Sequence, residues 1–197
     1  MKVAISSVAS RMRLMLLCVL VGGIVGGALQ LSAAAFAPPS AESLMLAAAK
    51  TAKAQNKVVL VHFGASWCSW CKRLDEMLLG KELGKLFDDH YVIVHLTVQE
   101  SDDKKQLENP GAEAMMNAEG AGQSGVPVFM FFSGEGKKIA DSLALPNRSN
   151  IGYPASPEEI AAFGTLLETT APRMSSAQRA SVISYLKAHA PAPEPTK

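Results

Sequence analysis

Val58-Val59-Leu60-Val61-His62-Phe63-Gly64-Ala65-Ser66-Trp67-Cys68-Ser69-Trp70-Cys71-Lys72 is the stretch on which the reading of this chain turns. Its first six residues are mostly apolar and β-branched, with the length and composition of a buried strand. After the small residues Gly64, Ala65 and Ser66 the period changes, and Leu74, Met77 and Leu78 recur at the spacing of one helix face. Trp67-Cys68-Ser69-Trp70-Cys71 therefore falls at a strand-to-helix junction. The first cysteine stands at a helix N-terminus, where unpaired backbone N–H groups and the helix dipole favour negative charge. That matters because the thiolate is the nucleophile. A thiol of ordinary pKa near 8.5 is only about 3% ionised at pH 7, and lowering it to about 7 takes roughly 2 kcal/mol. A partly buried helix terminus supplies up to about that much. Cys71, one turn on, is placed to resolve a mixed disulfide. Lys72 and Arg73 add positive charge nearby or simply face solvent.

Other uses of a C-x-x-C pair fit less well. Closing two cysteines three positions apart constrains almost no chain, so a structural staple gains little there. A tetrahedral zinc centre needs four ligands, and no second Cys or His pair stands at suitable spacing. Covalent haem attachment requires His after the second cysteine, where this chain has Lys72. There is no additional exported Cys or clear His cluster for a peroxidase or copper-delivery role. The expectation is therefore no metal and no cofactor beyond a redox-active Cys68–Cys71 pair.

With its preceding strand, this segment is similar to the active-site strand and helix of the thioredoxin superfamily. The Gly-Ala-Ser-Trp-Cys-x-Trp-Cys-Lys form is closer to exported bacterial members, among them C-terminal thioredoxin-like domains of membrane reductases, than to cytosolic thioredoxin. Gly125-Val126-Pro127-Val128-Phe129 resembles the family's cis-proline strand, and Gly134 to Lys138 the turn after it. The resemblance covers roughly Gln55 to Phe163. It implies an α/β thioredoxin fold: a central mixed β-sheet flanked by helices, here with an extra C-terminal helix. It also implies that Pro127 is cis beside the cysteine pair, and that Val126 offers backbone groups to an extended substrate peptide. Trp67 and Trp70 either form an apolar rim around the sulfurs or pack against the domain. Six residues before the first cysteine, where thioredoxin has a buried acid, this chain has His62. Strand alternation points His62 to the side of Leu60, towards the helix that carries Cys71. It is either a catalytic imidazole that takes the resolving cysteine's proton, or a core histidine bonded to backbone. Ser69-Trp70 replaces thioredoxin's Gly-Pro, so the redox poise does not carry over.

Outward from this centre, helices are expected from Glu42 to Gln55, through Leu74 to Leu78, around Leu83 to Phe87, and from Ala112 to Ala118. Strands are expected at Val58 to Phe63, Tyr91 to Val98, Val126 to Phe132 and Lys137 to Asp141. The polar interval Gln99 to Gly125 reads as an insertion near the active face. Ser156-Pro157-Glu158-Glu159 and Ser175 with Gln178 carry the N-cap signatures of two closing helices. Residues 1–37 differ from the rest. Lys2, Arg11 and Arg13 precede an apolar run from Leu14 to Leu29 and then Ser32-Ala33-Ala34-Ala35-Phe36-Ala37, the marks of an export signal cleaved after Ala35 or Ala37. The alternative is a retained N-terminal membrane anchor, although the run is interrupted by Gly22, Gly23, Gly26 and Gly27 and is just short for spanning. Either way the remainder is delivered to the periplasm or another extracytoplasmic compartment. Cys18 lies inside the signal as an apolar filler. This gives a signal or anchor at 1–37, a thioredoxin-like domain at 38–190, and a Pro-rich disordered tail at 191–197.

Nineteen Lys+Arg against 18 Asp+Glu leave a net charge of +1, which gives no electrostatic case for nucleic acid. The 197 residues, 48% of them hydrophobic, suit one domain with its own core. The expected function is disulfide exchange with exported client proteins bearing thiols or disulfides, by a monomer with a membrane redox partner. The other class is a redox-silent, chaperone-like binding module using the apolar surface around Trp67, Trp70 and Pro127.

Overall fold

The computed structural model describes residues 37–191; the expected export signal or anchor at 1–37, all but its last residue, and the expected tail, all but its first, lie outside the described residues. All but the first residue of strand β1 (Val58–Gly64) are buried, which places it inside the sheet. β2 (Tyr91–Thr97) pairs parallel with β1, and β3 (Val128–Phe132) pairs antiparallel on its other side. β4 (Lys138–Asp141) follows antiparallel on β3, giving the order β2-β1-β3-β4. This is the mixed sheet that the sequence implies.

Period-two alternation divides the core in two. Val59, Val61 and Phe63 join Val128, Met130 and Phe132 on one face, covered by α1 (Ala41–Gln55) and α4 (Ala112–Ala118). Helix α1 buries alanines there, namely Ala41, Ala48 and Ala52, whose small side chains let its backbone lie close to the strands. Leu60, Phe129 and Phe131 point the other way. They meet Leu74, Met77 and Leu78 of α2 (Ser69–Leu79), Phe87 of α3 (Gly84–His90), and Phe163 and Leu167 of α5 (Pro157–Thr170). Tyr91 and Thr170 tie β2 to α5 through a buried 2.7 Å hydroxyl–hydroxyl hydrogen bond.

Both closing helices start as their capping sequences predict. Ser156 and Glu159 form a reciprocal capping box on α5, and Ser175 and Gln178 form one on α6 (Ser176–His189). Helix α6 buries Val182, Tyr185 and Leu186 in the second core, so the extra helix is a packing element. Two departures from expectation stand out. β3 begins at Val128 rather than Val126, because proline has no N–H for the ladder; the Val126–Pro127 bond is cis. The interval after β2 is more ordered than its polarity implies, with a 3₁₀ turn over Asp102–Leu107 ahead of α4.

Candidate active site

Cys68 is the N-cap of α2, and its sulfur accepts the Cys71 backbone N–H at 3.0 Å. The two cysteines are joined as a disulfide. The first sulfur thus sits where the helix leaves its donors unpaired, which is the arrangement that favours a thiolate once the bond is opened. The residues are only 3% and 2% exposed, so a partner must settle into the surrounding rim to reach Cys68.

One side of that rim is the loop before β3. Cys68 Sγ lies 3.6 Å from the Val126 carbonyl oxygen, directly before the cis bond to Pro127. Asn150 holds this loop: its side-chain N–H groups donate to the carbonyls of Gly125 (3.0 Å) and Pro127 (2.9 Å). Its amide oxygen accepts from the Ser142 hydroxyl at 2.7 Å, and that hydroxyl in turn accepts the Phe129 N–H at 3.1 Å. The loop that faces the sulfur is therefore fastened to the core strand.

Trp67 and Trp70 form the opposite side, and each does both things the sequence allows. Trp67 is 56% exposed, yet its indole N–H donates to the Gln99 carbonyl at 2.8 Å. Trp70 is 40% exposed, stacks on Tyr153 at 5.9 Å between centroids, and carries the Arg73 guanidinium 5.2 Å from its ring. A hollow of about 220 Å³ opens between Trp70, Val126, Pro127, Asn150 and Tyr153. The interval after β2 supports this rim from below. Buried Glu100 accepts the Ser66 backbone N–H on one carboxylate oxygen and the Ser66 hydroxyl (2.8 Å) on the other. A charged residue in a polar stretch gives no sequence signal that it will be buried, so Glu100 was not legible in advance.

Behind Cys71 lies His62, completely buried on the face that alternation assigns it. It is not bonded to backbone among the described residues. Its Nδ1 is 2.9 Å from Asp75 Oδ1 on α2, and Nε2 is buried with no hydrogen-bond partner among the described residues. Nε2 and the Cys71 sulfur border one narrow gap, because a Cβ added to Gly64 would stand 3.1 Å from the first and 3.3 Å from the second. The parallel register pairs His62 with His95, whose Nδ1 lies 3.4 Å from the same Asp75 oxygen. A histidine cluster that sequence spacing gave no sign of is thereby assembled by strand pairing. The ring nitrogens and carboxylate oxygen lie within 4.8 Å of one another, and two contacts to a shared oxygen account for the arrangement. Burial pushes the His62 pKa down, outweighing the raising effect of its hydrogen bond to Asp75. Burial alone would raise Asp75, but hydrogen bonds from His62 and then His95 hold its carboxyl well below the usual carboxylate range. At neutral pH the pair is a neutral imidazole on a carboxylate.

Residues 42–134 match the family model described as Thioredoxin-like. Among curated proteins, the disulfide bond reductase DsbH of Chlamydia pneumoniae is 29% identical over 92 residues, covering 45% of this chain and 53% of the relative. The chain thus spans about half the length of the curated relative it matches. Among solved structures, a disulphide isomerase from Xylella fastidiosa Temecula1 matches at 21% identity, covering 74% of this chain and 88% of the other, with a TM-score of 0.44. The DsbD C-terminal domain of Neisseria meningitidis matches at 20% identity, with coverages of 53% and 84% and a TM-score of 0.37. The segment 42–134, which carries Cys68 and Cys71, is thus thioredoxin-like.

Proposed function

We propose that this protein is an exported thiol–disulfide oxidoreductase that exchanges disulfides with extracytoplasmic client proteins. The observation that carries the reading is the Cys68–Cys71 pair at the N-cap of α2, facing the Val126 carbonyl and an exposed tryptophan rim. In the reducing direction the Cys68 thiolate attacks a client disulfide, forming a mixed disulfide and releasing one client thiolate. Cys71 gives up its proton and attacks the Cys68 sulfur, closing the Cys68–Cys71 bond and releasing the second client thiolate. Two electrons pass from the cysteine pair to the client, and the reverse sequence oxidises a client dithiol. His62 is the base that takes the Cys71 proton, and its lowered pKa keeps it neutral and able to accept one. Trp67, Trp70, Val126 and Pro127 seat the client chain. The name of the curated relative, a disulfide bond reductase, favours the reducing direction, which requires a membrane redox partner to renew the dithiol. The protein works as a monomer without cofactor or metal, delivered by the signal or anchor at its N-terminus.

A Cys71→Ser variant tests this. It leaves Cys68 able to attack but removes resolution, so mixed disulfides through Cys68 should accumulate in the native compartment and vanish in the Cys68→Ser, Cys71→Ser double variant. Absence of adducts, with client proteins still bound, would instead establish a binding module without turnover.

A further inference from the structure

We propose that Asp75 is a positioning residue for the thiol chemistry: by accepting the Nδ1–H of His62 it keeps Nε2 as an unprotonated lone pair facing Cys71. The inference rests on the proposed exchange activity and deepens it. A neutral imidazole carries one proton, on either nitrogen, and only the bare nitrogen can act as a base. Nδ1 has an acceptor at hydrogen-bond distance, the Asp75 carboxylate, which has no proton to give. A carboxylate is acceptor-only, so the proton of a neutral His62 belongs on Nδ1. Nε2 is then left bare, buried, and without a hydrogen-bond partner among the described residues. A buried polar atom of that kind costs free energy unless something uses it. The group it borders is the Cys71 sulfur, across the gap beneath Gly64.

Among the described residues, the groups that face His62 leave no competitor for this role. From α2 come Asp75 and Cys71, from β2 comes His95, and its register partner on β3 is the apolar Phe129. His95 lies at the same Asp75 oxygen and at 4.6 Å between ring centroids from His62. Its Nδ1 contact falls on the carboxylate oxygen that His62 already uses and does not reach Nε2. When Nε2 takes the Cys71 proton, the imidazolium so formed remains paired with the Asp75 carboxylate, and the proton returns to Cys71 when the reverse step regenerates the thiol. Asp75 itself never needs to be protonated, consistent with a carboxyl held below its ordinary range.

Two measurements on the full chain test the proposal. In protein labelled with ¹⁵N-histidine, the wild-type His62 ring should be protonated at Nδ1 and bare at Nε2 throughout the neutral range. An Nε2–H tautomer in wild type would overturn the proposal by itself, whether or not any variant folds. Asp75→Leu should then shift the ring towards Nε2–H. It should slow release of a client thiol from the Cys68 mixed disulfide by at least about tenfold at pH 7 and remove the His62 inflection from the pH profile of that step, while the rate of Cys68 alkylation stays unchanged. Asp75→Asn, which keeps an acceptor oxygen, should recover part of both the tautomer and the rate. An Asp75→Leu protein with the Nδ1–H tautomer or wild-type release would overturn the proposal. Because the tautomer is read without turnover, failure of the exchange reading, seen as missing adducts in Cys71→Ser, stays distinct from failure of the Asp75 role.

Discussion

Gly64→Ala puts a methyl group into the gap between His62 and Cys71, and its consequences can be worked from the structure. Gly64 lies in extended strand, a conformation alanine adopts freely, so the backbone raises no objection. The obstacle is space. The new Cβ would stand 3.1 Å from His62 Nε2 and 3.3 Å from the Cβ and sulfur of Cys71, so the neighbours must give by a few tenths of an ångström. In the oxidised protein neither can easily do so: Nδ1 of His62 is tethered to Asp75, and the Cys71 sulfur is tied to Cys68. Overpacking a core by one carbon costs about 1–3 kcal/mol, and two tethered neighbours place this site near the middle, at about 2 kcal/mol. Reduction frees the Cys71 side chain to rotate, which relieves about half of that cost. The oxidised form is then disfavoured over the reduced form by about 1 kcal/mol, which raises the reduction potential by roughly 20 mV. Urea unfolding of both redox forms gives the first quantity, and equilibration against defined thiol buffers gives the second. Loss of less than about 0.5 kcal/mol in the oxidised form, or an equal loss in both forms with an unmoved potential, would refute the reasoning.

Removing the Glu100 side chain as Glu100→Ala leaves the Ser66 N–H and hydroxyl without their charged acceptor at a part-buried site. The expected cost is about 2 kcal/mol in urea unfolding, with Glu100→Gln losing less because one acceptor oxygen remains; equal stability of both with wild type would show that Ser66 re-pairs freely. Stability should also fall as pH drops through 6.5. His62 and His90, both with pKa pushed below 6.5 by burial, stay neutral when folded and take up protons when unfolded. Each adds up to about 1.4 kcal/mol per pH unit to the slope below that pH, and His62→Phe should remove one proton from it; an unchanged slope would place a charged His62 in the folded state.

Much of the fold was readable because local signals and tertiary demands agreed. Val58 to Phe63 is apolar at every position but His62, as suits a strand buried on both faces, and the Ser156 and Ser175 caps act within one helical turn. The largest shift at a strand boundary came where a long-range feature intervened, at Pro127. The site was legible where its residues are contiguous. Cys68 and Cys71 are bound to one helix start by their spacing, and Trp67 and Trp70 flank them for the same reason. Asp75 was invisible although it lies on the same helix, since an acid four residues after a cysteine reads as an ordinary surface position. Asn150 gave no sign either, because its work is to hold a loop more than twenty residues away.

The sequence by itself determined the strand-to-helix junction, the thiol pair at its tip, and the face of β1 on which His62 lies. These follow from covalent neighbourhood and from the two periods, 2 and 3.6, that govern side-chain direction along a chain. Only the tertiary structure decided what surrounds them. Parallel pairing of β1 with β2 brings His95 beside His62, α2 lays Asp75 against Nδ1, and the loop before β3 sets the Val126 carbonyl against Cys68. Those contacts join residues far apart in the chain, and they depend on register and packing, which no local pattern encodes.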